Sequence, residues 1–217
     1  MKAVLFDLDG TLIDSSPGIT RSVFHTLTHY GIRPPELESL KKFIGPPLKS
    51  SFMKYYDFSP EKAVEAVAVY RERYNRIGLY ECNLYPGVEE CIRTLKKKRY
   101  RVAMASSKPE LTCRQIMDHM GLVTLFDEIA GATMDGRIDT KEEVLKELFG
   151  RWPDVEKSDM ILIGDTMYDI NGANQVGIAS GAVSYGFGDV EEMKENGALF
   201  VCDTIKELPR KLEEFWK

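Results

Sequence analysis

The stretch Ala3-Val4-Leu5-Phe6-Asp7-Leu8-Asp9-Gly10-Thr11-Leu12 decides the fold. An unbroken apolar tetrad that runs into acids and a glycine reads as a strand buried on both faces and ended by a turn. The same signature returns over residues 101–105, 128–132, 160–163, 181–185 and 199–201, and amphipathic helical patterns separate most of these runs. Apolar strands alternating with helices require a parallel sheet covered on both sides. The expected architecture is therefore α/β, a doubly wound parallel sheet of Rossmann-like type whose first strand covers residues 3–8.

One connection is too long for that scheme. From Asp9 to Arg101 the chain spends about ninety residues, where a crossover needs roughly a dozen. Helical periodicity over residues 17–80 is interrupted at Gly31, Pro34-Pro35, Gly45-Pro46-Pro47 and Ser59-Pro60, which predicts a small four-helix insert. The expected organisation is a core of residues 1–14 and 87–217. A helical cap, residues 15–86, would be carried on two neighbouring linkers that serve as a hinge.

The 217 residues are 43% hydrophobic and 29% charged, enough for a full core. A net charge of −5 argues against nucleic acid or an anionic membrane as partner, since either demands a basic face. An anionic substrate must be met by local charge, and a small molecule bound by a monomer or homodimer is the expected partner. Cys82, Cys91, Cys113 and Cys202 form no C-x-x-C pair and read as free thiols. The apolar start meets Asp7 too soon for a signal peptide, so a cytoplasmic location is expected.

In extended backbone Asp7 and Asp9 would share one face, at the carboxyl end of a strand where open α/β sheets bind ligands. Two adjacent carboxylates repel unless a cation neutralises them. A second acid pair follows a strong strand in Gly164-Asp165-Thr166-Met167-Tyr168-Asp169; there Asp165 or Thr166 also suits a helix cap and Asp169 a first turn. If the two strands are neighbours, four carboxylates converge, a hard oxygen set suited to Mg²⁺. Ser106 ends another strand and offers a hydroxyl to a phosphoryl oxygen, while Ser107 with Glu110 fits a capping box. Lys141 begins a helix, where a cation opposes the dipole, so it calls for an anionic partner elsewhere; Lys108 invites the same argument.

Taken together, Asp7-Leu8-Asp9-Gly10-Thr11, Ser106, Lys141 and Gly164-Asp165 with Asp169 resemble, in order and strand-end position, the four motifs of the haloacid-dehalogenase-like hydrolase superfamily. The resemblance is to its phosphoglycolate-phosphatase-like branch with a helical cap. It implies a Mg²⁺-dependent phosphatase acting on a small-molecule phosphate ester such as phosphoglycolate, a nucleotide or a sugar phosphate. Asp7 would be the nucleophile, Asp9 the general acid and base, and Ser106 and Lys141 the holders of the phosphoryl group. Gly10, Thr11, Ser107 and the cap residue Gly45 would line the substrate site. The metal would be held by the Asp7 carboxylate, the Asp9 main-chain oxygen and Asp165, with Asp169 orienting its waters or Lys141. Ile44-Gly45-Pro46-Pro47-Leu48 resembles a cap loop of that branch, so specificity is expected near residues 45–49 and Arg21; Tyr185-Gly186-Phe187-Gly188 resembles its late strand and turn. Lys141 departs from the family pattern in preceding Glu142-Glu143 in place of a proline-rich context.

A phosphomutase or pyrophosphatase of the same superfamily is the alternative, and a receiver-like phospho-acceptor module is a third. The large insert speaks against the third. Haloacid dehalogenation would leave Asp9 without a task, because a halide departs without a proton. His25 and His29 have a zinc-compatible spacing but Thr26-Leu27-Thr28 between them supplies no glutamate, and packing or surface placement is expected.

Overall fold

The computed structural model describes all 217 residues and divides them into two compact units, Met1–Ile13 with Leu84–Lys217, and Asp14–Asn83. In chain order the strands are β1 (Ala3–Phe6), β2 (Ile13–Asp14), β3 (Asn83–Leu84), β4 (Arg101–Pro109), β5 (Glu128–Ala132), β6 (Met160–Gly164), β7 (Ala179–Val183) and β8 (Val201–Cys202). The helices are α1 (Ser16–His29), α2 (Leu48–Tyr56), α3 (Pro60–Tyr74), α4 (Val88–Lys97), α5 (Glu110–His119), α6 (Lys141–Arg151), α7 (Met167–Val176), α8 (Val190–Glu195) and α9 (Leu208–Phe215).

Six strands form one parallel sheet in the order β5-β4-β1-β6-β7-β8, and β2 and β3 pair separately. The chain winds outward from β1 through β4 to β5, then restarts at β6 on the other side. The strand order therefore reverses between β4 and β6, with β1 in the middle, and the crevice at their carboxyl ends is where such sheets accept a ligand. Side chains alternate across the sheet. Ala3, Leu5, Ala103, Ala105 and Leu162 meet Val144, Leu145 and Leu148 of α6 and Ala173 and Val176 of α7. Val4, Phe6, Val102, Met104, Ile161 and Ile163 on the opposite face are equally buried, so both faces are covered.

The edge strand β5 is closed by charge. The Ile129 carbonyl accepts from Arg114 Nη2 at 3.0 Å and Arg151 Nη1 at 3.1 Å, and its N–H donates to Glu128 Oε1 at 2.9 Å. The Ile129 backbone groups, which would otherwise invite another strand, are thus satisfied within the chain.

The helical unit has three α-helices, not four. The segment expected as a second helix is a 3₁₀ turn, Leu37–Phe43, ended by Gly45 at φ +99°, a conformation that favours glycine. α3 starts as its sequence dictates: Ser59 Oγ accepts the Lys62 N–H at 3.2 Å and Pro60 occupies the first turn. Arg21 and Arg73 both bind Glu81, at 3.0 and 2.8 Å, within this unit.

Leu5 and Leu162 are fully buried cross-strand neighbours. Leu162→Ala is expected to lower unfolding free energy by about 2–5 kcal/mol through lost burial and a residual cavity, measured by urea denaturation. A loss under about 1 kcal/mol would mean this layer is not the packed centre of the core.

Candidate active site

Asp7 is the last residue held by the sheet, its N–H donating to Ile163 O at 2.9 Å. The chain then turns at once, with the Leu8 carbonyl accepting from the N–H groups of Leu12 at 2.9 Å and Ile13 at 3.1 Å. Gly10 sits in this turn at φ +84°, and a Cβ there would lie 2.0 Å from Asp165 Oδ2, so both the conformation and the space require glycine. β1 stops at Phe6, two residues before its expected end, and the charge of Asp9 is still felt at Asp7. Asp7 joins Asp165 and Asp169, with carboxylate oxygens all within 4.8 Å of one another. Asp9 instead binds Lys108, Oδ1 to Nζ, at 2.7 Å.

The second acid pair comes from the loop after β6, which carries Asp165, and the first turn of α7, which carries Asp169. Asp165 is fully buried, its Oδ1 accepting from Thr11 Oγ1 at 3.2 Å and its Oδ2 from the Phe187 N–H at 2.8 Å. Asp169 caps α7, with Oδ2 accepting from the Thr166 N–H and hydroxyl at 3.1 and 2.9 Å. Its other oxygen faces Lys141 at 2.8 Å, so the helix cap and the charge cluster are one residue's two ends.

Lys141 is delivered by α6. The Thr140 hydroxyl accepts the Glu143 N–H at 3.2 Å, and Glu143 returns a carboxylate to the Thr140 N–H at 3.0 Å; this capping box fixes the first turn. The lysine stem crosses Gly172 of α7, where a Cβ would stand 2.5 Å from Lys141 Cγ. Its ammonium reaches Asp7 Oδ1 at 2.6 Å, Asp169 Oδ1 at 2.8 Å and the Ala105 carbonyl at 2.8 Å. All three donors are committed, which satisfies the anionic partner that its helix position demanded.

Burial pushes the Asp7 carboxyl up to about 6, against the pull of Lys141 and helped by the charges of Asp169 and Asp9. Asp165 lies well above the usual carboxylate range because it is buried beside Asp169 and Asp7, in spite of its bonds from Phe187 and Thr11. Burial disfavours the charged form of Lys141, but Asp169 and Asp7 outweigh it and hold the ammonium above the ordinary lysine range. Four carboxylates face two ammonium groups here, and one divalent cation would cancel the excess. An all-oxygen, buried, electrostatically unsatisfied set of this kind fits Mg²⁺.

The haloacid dehalogenase-like hydrolase family model matches residues 4–183, which spans the motifs and both units. The chain belongs to this family. It is 39% identical to a 5′-nucleotidase of Pseudomonas aeruginosa over 97% of its own length and 95% of the relative's. It is 33% identical to the tyrosine-protein kinase PtkA of Mycobacterium tuberculosis over 94% of its length and 70% of that protein's. The crystal structure of a predicted phosphatase from Clostridium acetobutylicum superposes with a TM-score of 0.93 at 41% identity, covering 98% of each chain. The chain is thus a phosphoric monoester hydrolase of the haloacid dehalogenase-like type.

Within this family member, Ser106 ends the regular part of β4, is almost fully buried, and accepts the Lys108 N–H at 3.3 Å. Ser107 is exposed and caps nothing, because β4 runs on to Pro109 and α5 begins at Glu110, whose carboxylate binds Arg114 and Arg151. The expected capping box fails since two residues bulge out of the strand between Ser106 and Pro109. Thr11 is buried with its hydroxyl spent on Asp165, so it supports an acid from behind. β7 ends at Val183, and Tyr185-Gly186-Phe187-Gly188 is a loop around Asp165, not the end of a strand. That loop supplies two groups the sequence did not announce: the Phe187 N–H, and the Tyr185 hydroxyl, which donates to Thr11 O at 2.9 Å. The close glycines at 186 and 188 were the available signal. His25 and His29 are both exposed, and His29 packs edge-on against Tyr30.

The raised Asp7 has a stability consequence. Its folded-state value near 6 exceeds its ordinary 3.8, so ionised Asp7 penalises the fold above pH 6 and the penalty fades as pH falls toward 4. With chelator present at pH 7.5, Asp7→Asn is expected to be more stable than wild type by roughly 1–3 kcal/mol, with the gap closing near pH 4. Urea titrations across that range check it; a less stable variant at pH 7.5 would place the Lys141 attraction above the cost of burial.

Proposed function

We propose that this protein hydrolyses small-molecule phosphate monoesters through a phosphoryl-aspartate on Asp7, with Asp9 as general acid and base. The observation that carries the reading is Asp7 itself, a buried carboxylate at a strand's carboxyl end, oriented through Oδ1 by a lysine fixed at three points. Family membership supplies the reaction class, and the residues at the site supply the parts.

Asp7, Asp165 and the Asp9 main chain would hold Mg²⁺, with Asp169 behind them. When bound, the ion adds positive charge that offsets the phosphate oxygens. In the first step the Asp7 carboxylate attacks phosphorus in line, the ester P–O bond breaks, and Asp9 gives its proton to the departing alkoxide. In the second, Asp9 takes a proton from water as that water attacks phosphorus, and the bond to Asp7 breaks. Ser106 and the Lys141 charge would hold the phosphoryl oxygens, aided by the main chain of Gly10, Thr11 and Ser107. Gly45 and the rest of residues 45–49 are proposed to act on the leaving group. Among candidate substrates we propose nucleoside 5′-monophosphates ahead of sugar phosphates and phosphoglycolate, a reading supported by the similarity to the Pseudomonas 5′-nucleotidase.

Asp7→Asn is expected to lower phosphate release by at least about 10⁴-fold with the fold intact, because an amide is a poor nucleophile; near-wild-type turnover would sink the mechanism. Asp9→Asn should retain labelling of Asp7 by an activated aryl phosphate while losing turnover. Chelation should abolish activity. Independently of activity, saturating Mg²⁺ should raise the melting temperature of wild type, by about 2.7 kcal/mol of stabilisation at a hundredfold excess over Kd, and not that of Asp165→Asn. An equal shift in both would remove Asp165 from the metal site.

A further inference from the structure

Lys108, paired with Asp9, has no task in the scheme above, and the construction of the pair is specific. Between Ser106 and Pro109 the register of β4 on β5 slips, so Ser107 and Lys108 stand opposite a single step from Gly131 to Ala132. Gly131 makes that possible: a Cβ there would lie 2.6 Å from both Lys108 O and Glu110 N. Beyond the bulge Pro109 ends the strand, and Glu110 is tied to Arg151 at 2.8 Å and to Arg114 at 3.0 Å. The backbone of Lys108 is therefore pinned on both sides. Its side chain, only 9% exposed, crosses to Asp9 at 2.7 Å, while Asp9 is 18% exposed. Lys141, from the start of α6, binds Asp7 Oδ1 at 2.6 Å. Two acids at the end of β1 thus have one lysine each.

We propose that Lys108 is a positioning residue for Asp9 in the second half of the reaction, hydrolysis of the phosphoryl-aspartate; the inference rests on the reading of Asp7 and Asp9 given above. The ion pair at 2.7 Å holds the Asp9 carboxylate in one place at the end of β1. Water attacking phosphorus on Asp7 gives its proton to that carboxylate as the P–O bond to Asp7 breaks, yielding inorganic phosphate and free Asp7. Without Lys108 the Asp9 side chain, on a turn, is free to swing away and the second step slows. The first step with a leaving group that needs no proton does not depend on Asp9 and is untouched.

The experiment is pre-steady-state kinetics with 2,4-dinitrophenyl phosphate and Mg²⁺ on wild type, Lys108→Met and Lys108→Arg. Dinitrophenolate leaves unprotonated, so its burst reports the first step and its steady rate the second. Lys108→Met is expected to lower kcat roughly 10²-fold and KM in parallel, keep kcat/KM within about 3-fold, and accumulate phosphorylated Asp7. Lys108→Arg, which keeps a cation opposite Asp9, is expected to restore at least about a third of kcat. A fall in kcat/KM equal to that in kcat, without accumulation, would make Lys108 a phosphate anchor and overturn the proposal, as would no change at all. Should Lys108→Met lose its fold by circular dichroism, Lys108→Gln carries the same expectation and the same refutation. Failure of wild type to release dinitrophenolate or to label Asp7 would overturn the proposed function, and this inference with it; a normal wild-type burst with wrong Lys108 kinetics overturns this inference alone.

Discussion

Three carboxylates held within 4.8 Å in a buried pocket, against one fully committed lysine, are the constraint around which the core unit is arranged. Like charges out of water repel strongly and are each costly to desolvate, so such a cluster persists only where other structure holds it. Here each member is fixed by an element with its own reasons to be stable. Asp7 is pinned by the sheet, Asp165 by two hydrogen bonds, Asp169 by its duty as a helix cap and Lys141 by a capping box. The folding energy of ordinary secondary structure is thereby used to keep an unfavourable charge arrangement in place, the pattern expected of a site selected for chemistry over stability.

The sheet order explains why those four meet. β1 lies between β4 and β6, so the turns leaving all three open on one edge of the sheet. α6 returns from the β5 side and presents its first residue, Lys141, to that edge, while its last residue, Arg151, binds Glu110 and the β5 carbonyl of Ile129. One helix therefore carries the lysine at one end and the clamp on the outer strand at the other. The partly exposed ion pairs of that clamp are individually weak, but they share Arg114, Arg151, Glu110 and Glu128, and a shared network loses less side-chain entropy per contact than isolated pairs.

Most of the fold was legible because it depends on local signals. Continuous apolar tetrads marked β1, β5 and β6, and Ser59-Pro60 marked the start of α3. The acids were legible as well, since each pair directly follows a continuous apolar run that reads as a strand. What the sequence concealed is everything that depends on where an extended run stops. Residues 181–185 look like a strand, yet the chain leaves the sheet after Val183 and bends around Asp165. Ser107 has the spacing of a cap, yet a strand bulge carries the chain past it to Pro109. The stretch 37–43 has helical composition but, with Pro34-Pro35 before it and Gly45 after it, closes only as 3₁₀. Pairings such as Lys108 with Asp9, 99 positions apart, follow from those details and so could not be foreseen.

Under the proposed mechanism the two lysines would divide the site according to what each acid does. A nucleophile that forms and breaks a bond to phosphorus gains from being held rigidly, since misplacement by an ångström is costly in rate. Asp7 has that environment: its lysine is itself tied to Asp169 and to the Ala105 carbonyl, and none of the three partners can move without disturbing a helix cap or a strand. In the proposed mechanism Asp9 would serve the leaving oxygen in one step and a water in the next, which requires a carboxylate with a defined place but some latitude. It stands on a turn, partly exposed, and its lysine comes from a bulge and not from a helix start. The difference between a fixed acid and an adjustable one is thus already written into the backbone beneath each lysine.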